Sequence, residues 1–454
     1  RSVHSSRCSF ICLTLLLFGD YQFFYLSYIC VAAIHFFLNS NSFSAFQTSV
    51  EDAWEADDEE YLSLISKSVA ERTAQEVLIR HSSESQTSFA SKACLRAAGK
   101  LAPGCGIRLD TNTDSSLSLA QPSVECRIEL FQALINSPFT DLDILRKQSW
   151  SGIPQDVRST TWKLLCDYLP ASYDRRSTTL GKKRQQYSDL TLQFFNLRNG
   201  HSGSEIFRQV QKDLIRMTML QKRQDIFELF ERVLFNWSIR HPGSGYVQGI
   251  NDLLTPFVIV FLSDYAKTEL SSAGELKLSK AITKEQLQEV EADVFWCVSR
   301  LLDTIQDNYT FAQPGIQNNI NKLSSLIERL DAELHRHLLN HKVEYLQFSF
   351  RWMNNLLIRE LPLRCIIRLW DTYMSEPDGF SQFHVYVCAA FLLRFKDGLM
   401  RQNDFHGLLM YLQSLPTHRW TNDDIEMVLA QAFQYKSLFS QAPKHLDYQK
   451  SDIH

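Results

Sequence analysis

The chain has 454 residues, 44% of them hydrophobic and 12% aromatic, with a formal net charge of -4. That length leaves room for two or three domains and for a large buried core, while the weakly acidic balance lacks the concentrated basic face of a nucleic-acid binder, so no nucleic-acid partner is expected. The ten cysteines stand singly, from Cys8 and Cys12 to Cys365 and Cys388, with no CxxC pair; this excludes a zinc ribbon and a disulfide-dense secreted fold and reads as reduced cytosolic thiols.

Residues 9–38 are almost wholly apolar, broken by Asp20 and His35, and Tyr21 to Leu38 contains no Asp, Glu, Lys or Arg. About 20 apolar residues cross a bilayer, so a membrane anchor over 1–40 is one reading. The other is a gene-model artefact, translated non-coding sequence, which the start at Arg1 rather than Met also fits. A cleaved secretory signal accords less well with the cytosolic character of the remaining chain. Over 41–140 the composition changes: "EDAWEADDEE" carries seven acidic residues in ten, and 82–120 is rich in Ser, Ala, Gly and Thr. Such segments bury too little apolar surface to offset their ordering entropy, so mostly disordered linker is expected. A short helix is expected over 59–80 on Leu62, Ile65, Val69 and Val77, and "RHSSES" at 80–85 reads either as a solvated loop or as a phosphorylation-dependent partner site.

From about 141 to 445 the apolar spacing is helical nearly throughout. Phe230, Val233, Leu234 and Trp237 fall at i, i+3, i+4 and i+7, the signature of one buried helix face. Val290, Val294, Cys297, Leu301 and Ile305 repeat it, as do Ile320, Leu323, Ile327, Leu330 and Leu334. Further helices are predicted over 384–396 and over 423–435, the latter behind the capping candidates Thr421 and Asn422. The polar stretch 263–288 reads as a variable loop. The fold class is therefore all-α, with no run of alternating strands.

Several sites are rejected on spacing. Gly243, Gly245 and Gly249 come after a helix and match neither the dinucleotide fingerprint nor a Walker loop. His335, His337 and His341 lack a third-ligand pattern such as HExxH and read as a solvated helix face. No GxSxG elbow is present, so covalent hydrolase chemistry has no anchor. Two stretches remain. "IFRQVQKDLIRM" (206–217) sets Asp213 and Arg216 at i and i+3, where a carboxylate can hold a guanidinium in one pose. "GYVQG" (245–249) comes after His241-Pro242-Gly243, which ends the preceding helix, and so places Tyr246 and Gln248 on a constrained turn. Taken singly, an exposed ion pair and a helix–helix turn explain them.

In order along the chain, "LRKQSWSGIPQDVRSTTWKLLCDYLP", "VQKDLIR", "YVQGIND" and "FRWMNNLLIRELPLRCIIRLWDTY" resemble the successive motifs of the TBC domain, and the wording of "IRHPGSGYVQGINDLLTPF" and "DNYTFAQPGIQ" is most similar to its member 22 type. The resemblance covers about 145–445, with 171–205 matching that type poorly. It implies a multi-helix domain that activates Rab-type small GTPases in their GTP state. It implies that Arg216 and Gln248 are arginine and glutamine fingers supplied in trans, that Asp213 orients Arg216, and that Tyr246 packs or contacts the partner. Arg158, Trp162, Trp352, Arg359, Pro362, Trp370 and Asp371 are expected to be core and helix-end residues. GTP and Mg²⁺ belong to the partner, so no cofactor is expected on this chain itself. Cytosolic or Golgi-associated action in vesicle traffic is implied, with Golgi adaptor or phospho-dependent partners at the N-terminal region. Val210 replaces the usual Ile and Ile215 the usual Pro, the second change being expected to loosen the finger loop. Retention of Arg216 and Gln248 stands against the alternative, a catalytically weak TBC scaffold that grips a Rab without stimulating it, while Ile215 keeps that alternative open. A helical-repeat scaffold is disfavoured because no 30–45-residue period appears.

Overall fold

The first described helix of the computed structural model, α1 (Val124–Ile135), buries Phe131, Leu134 and Ile135 and donates from Arg127 to the carbonyl of Gly152. The structure describes residues 124–220, 222–270 and 276–440; the apolar segment at 9–38, the 59–80 helix and the 80–85 site lie outside the described residues. Among the described residues, packing thus extends into the stretch read as mostly linker. Phe131, which is fully buried, supplies the apolar surface that the Ser- and Gly-rich region before it lacks.

Local chemistry sets the helix boundaries. Asp141 accepts from Asp143 N and Ile144 N to start α2 (Leu142–Ser149), and Pro154 precedes α3 (Gln155–Leu165). After α4 (Arg176–Phe194) and α5 (His201–Leu214) comes α6 (Gln224–Arg240), whose expected stripe is buried as drawn: Phe230, Val233, Leu234 and Trp237 are each under 5% exposed. All thirteen residues of α7 (Ile250–Leu262) are buried, which marks it as the central helix. The loop at 263–288 carries two short antiparallel strands, β1 (Thr268–Leu270) and β2 (Leu276–Leu278). Then Thr283 and Gln286 form a capping box for α8 (Lys284–Thr304).

The apolar run from Ile320 to Leu334 is divided between two helices. α9 (Pro314–Leu330) stops at Asp331, whose carboxylate accepts from Leu334 N at 2.9 Å to start α10 (Ala332–Asn340). The apolar period runs on across a cap, so periodicity alone reads the pair as one helix. His335 is buried with Nδ1 3.0 Å from Tyr345 Oη, and His337 Nε2 lies 2.9 Å from the Gln402 carbonyl. That segment is packed rather than a solvated face, and among the described residues no group of three or more His, Cys, Asp or Glu is placed to hold a metal ion. The described residues close with α11 (Tyr345–Asn355), α12 (Leu363–Ser375), α13 (His384–Leu393), α14 (Lys396–Leu399), α15 (Phe405–Gln413) and α16 (Asn422–Ser440). No helix of the described residues is long and apolar enough to cross a membrane.

Trp162, Phe257 and Trp370 cluster at the centre with ring centroids 5.4–6.2 Å apart. Beneath them sits the fully buried carboxylate of Asp371, accepting from Trp162 Nε1 at 2.7 Å, Ile153 N at 2.9 Å and Arg158 Nε at 3.1 Å. Arg158 and Trp162 are therefore structural: they lock α3 to α12 around one buried charge, and each donor offsets part of its desolvation. Asp293 on α8 does the same for the other side, taking Lys163 and Arg184 at 2.9 Å and Tyr168 at 2.7 Å.

Candidate functional site

α5 packs against α6 and touches α7, while α7 also meets α11. The C-terminal end of α5 and the N-terminal end of α7 are thereby brought together, and they carry the two stretches singled out by spacing. Arg216 lies just past the end of α5. Its side chain is half exposed, and Nη1 is 3.5 Å from Asp213 Oδ1. The turn after it is anchored by the buried Met219 and Leu220, with Thr255 Oγ1 of α7 3.5 Å from the Met219 sulfur.

Asp213 does more than face Arg216. Its other carboxylate oxygen accepts from Tyr246 Oη at 2.8 Å, across 33 residues of chain. One carboxylate thus joins the arginine turn to the glutamine turn. Burial pushes the Asp213 carboxyl above the usual carboxylate range, against the opposing pull of the Tyr246 hydroxyl and the Arg216 guanidinium. Burial, reinforced by the Asp213 charge, drives the Tyr246 phenol well above its ordinary value, so it stays a donor. The structure brings Asp213, Arg216 and Tyr246 into direct contact and sets Gln248 two residues along the same turn.

Ile215, where proline is common in the family, is 67% exposed and has φ -57°. That value lies inside the range a proline ring imposes. Its N–H donates to the Gln211 carbonyl at 3.0 Å. The last turn of α5 therefore holds the dihedral through a hydrogen bond.

The turn at Gln248 is built from behind. Gly249 has φ +108°, and a Cβ there would collide with Asn354 Nδ2. Only glycine fits. Asn354 uses that close approach to donate from Nδ2 to the Gln248 main-chain carbonyl at 3.0 Å, while its main-chain carbonyl accepts from Tyr309 Oη at 2.8 Å. Gly249 N donates to Asn251 Oδ1 at 3.1 Å. Asp252, in the first turn of α7, accepts from Asn355 Nδ2 at 2.5 Å and Arg359 Nε at 2.6 Å. What is held is the Gln248 main chain, which leaves the half-buried side chain directed by the turn. Arg359, expected among the core and helix-end residues, lies between α11 and α12, where its 37% exposed side chain clamps Asp252. Asn354, Asn355, Asp252 and Tyr309 are not legible in the sequence as site residues, since they come from segments about 50 to 100 positions apart and have no periodic signal. The one hint is the paired asparagines in "WMNN" at the end of an apolar helix.

An exposed cationic side chain and a braced amide turn are thus tied by one carboxylate on a mostly helical frame. The Rab-GTPase-TBC domain family profile matches residues 155–400. The chain is 44% identical over 452 residues to human TBC1 domain family member 22B, covering 89% of this chain and 88% of that protein. It is 44% identical over 326 residues to the GTPase-activating protein gyp1 of Schizosaccharomyces pombe, covering 70% of this chain and 63% of that protein. Among solved structures, the Ypt/Rab-GAP domain of Gyp1p aligns with a TM-score of 0.65 at 40% identity, covering 70% of this chain and all of that one. The chain belongs to the Rab-GTPase-TBC domain family.

Proposed function

We propose that this chain accelerates GTP hydrolysis by a Rab-type small GTPase in its GTP state, supplying Arg216 and Gln248 in trans. The observation that carries this is the bridge through Asp213, which fixes the arginine turn and the glutamine turn to each other. Phosphoryl transfer spreads charge over the γ-phosphate oxygens, so catalysis is positioning and electrostatics rather than covalent chemistry. The Arg216 guanidinium offers a planar cationic fork to those oxygens. Gln248 both donates and accepts, so it can orient the attacking water in place of the GTPase's own glutamine without titrating near neutral pH. Asp213 holds Arg216, and Tyr246 holds Asp213. An arginine finger is worth roughly 10³–10⁵ in rate, about 4–7 kcal/mol of barrier.

On this reading residues 141–445 form the catalytic domain. GTP and Mg²⁺ are carried by the GTPase, so the chain needs no cofactor of its own. It acts in vesicle and intracellular protein transport, at cytosolic or Golgi membranes, and its N-terminal region recruits adaptors. Similarity to a GTPase-activating protein and to a Rab-GAP domain supports the GTPase-activating reading. Single-turnover GTP hydrolysis across a Rab panel tests it: at least one Rab is accelerated by the wild type, and Arg216→Ala and Gln248→Ala each lose most of that effect. Binding without acceleration, or two variants as active as the wild type, makes the chain a scaffold instead.

A further inference from the structure

Phe311 is the most exposed large hydrophobic side chain among the described residues, at 85%. A phenyl ring in water is ordinary on a loose loop, but this loop is not loose. Ala312 and Gln313 are consecutive non-glycine residues in the left-handed region, with φ +64° and +49°, a conformation that costs free energy at each position and persists only where surroundings enforce it. Here Gln313 Nε2 donates to the Asn308 carbonyl at 3.0 Å and Gln317 Nε2 to the Ala312 carbonyl at 2.7 Å. Gly315 leaves room for Asn308, whose side chain a Cβ would strike. Tyr309 and Ile316, on either side, are 1% and 0% exposed. Both flanks are locked into the core, and the strain they enforce gains Phe311 no burial.

The loop also adjoins the candidate site. Tyr309 Oη bonds the Asn354 carbonyl, and Asn354 Nδ2 bonds the Gln248 carbonyl. Two hydrogen bonds therefore separate the platform of Phe311 from the turn of the glutamine finger. A pre-set aromatic ring loses little entropy on docking, and aromatic anchors at a water-excluded contact carry much of the binding free energy of an interface.

We propose that Phe311 is the anchor by which the GTPase is gripped on the glutamine side of the site, its ring entering an apolar depression on the GTP-bound partner beside the nucleotide. This rests on the GTPase-activating reading and adds the residue that sets affinity rather than chemistry. The test is steady-state GTP hydrolysis by an accelerated Rab, with KM and kcat resolved for wild type, Phe311→Ala, Phe311→Asp and Phe311→Leu, alongside thermal unfolding of each. Phe311→Ala is expected to raise KM about 10- to 100-fold with kcat at saturating Rab within about twofold. Phe311→Asp raises KM further, Phe311→Leu recovers most of the loss, and all unfold at the wild-type temperature because the ring has no core contact to lose. An active wild type whose KM is unmoved by Phe311→Ala overturns the proposal while leaving the catalytic reading intact. So does a fall in kcat alone, or a lowered unfolding temperature that tracks the lost activity. A wild type that accelerates no Rab removes both readings.

Discussion

Gly249→Ala isolates the physical support of the glutamine turn. The backbone there has φ +108°, and the added methyl would meet Asn354 Nδ2, which donates to the Gln248 carbonyl at 3.0 Å. Holding alanine in a left-handed conformation costs about 1–2 kcal/mol, and losing a net hydrogen bond costs about 1 kcal/mol. The sum is a destabilisation of about 2–3 kcal/mol, read by chemical unfolding. Activity should fall further than stability implies, because a displacement of about 1 Å in a positioned group costs on the order of 10²-fold in rate. Asn354→Ala alone removes the hydrogen bond but opens the space, so the double variant should be less destabilised than the two single changes added together, with a coupling of about 1 kcal/mol. Additive effects, or a Gly249→Ala protein with wild-type stability and rate, would refute the reasoning.

Other expectations rest on the same contacts. Asp213 has a folded pKa raised by burial, so its ionisation weakens the fold as pH rises through that value and has no such effect below its ordinary 3.8; Asp213→Asn should therefore match or exceed wild-type stability at pH 7, with the difference vanishing in acid, as pH-dependent unfolding will show. The same variant should lower kcat about fivefold, since an ion pair at 3.5 Å to a half-exposed arginine is worth at most about 1 kcal/mol. Ile215→Pro keeps the observed φ of -57° but loses the bond to Gln211 and sets the ring against that carbonyl; stability should fall by about 1–3 kcal/mol in chemical unfolding with the rate unchanged, whereas a large gain in rate would mean that the native turn is loose. Asp371→Ala strands the Trp162, Arg158 and Ile153 donors in the core and should cost about 3–5 kcal/mol by chemical unfolding.

The helical class is readable because burial imposes a period: the stripes of α6 and α8 are visible in the sequence and reappear as buried faces. The same signal misleads where apolar spacing runs through a cap, as at Asp331, because periodicity reports burial and not backbone continuity. The family motifs point to Asp213, Arg216, Tyr246 and Gln248, and the structure joins the first three through one carboxylate. The bracing of Gln248 is hidden for a different reason. Asn354, Tyr309 and Arg359 act through hydrogen bonds made only when α7, α11 and the Tyr309 loop pack together, and a neutral Asn at a helix end looks like any other polar residue until its partner is known. His335 is hidden likewise, since its partner Tyr345 lies on the next helix.

The catalytic claim is most directly tested with a Rab whose own water-positioning glutamine has been replaced by alanine. If Gln248 supplies that amide in trans, the wild-type chain will still accelerate single-turnover GTP hydrolysis by the altered Rab, and Gln248→Ala will not. Loss of acceleration by the wild-type chain on that Rab, with acceleration retained on the unaltered one, would contradict the account.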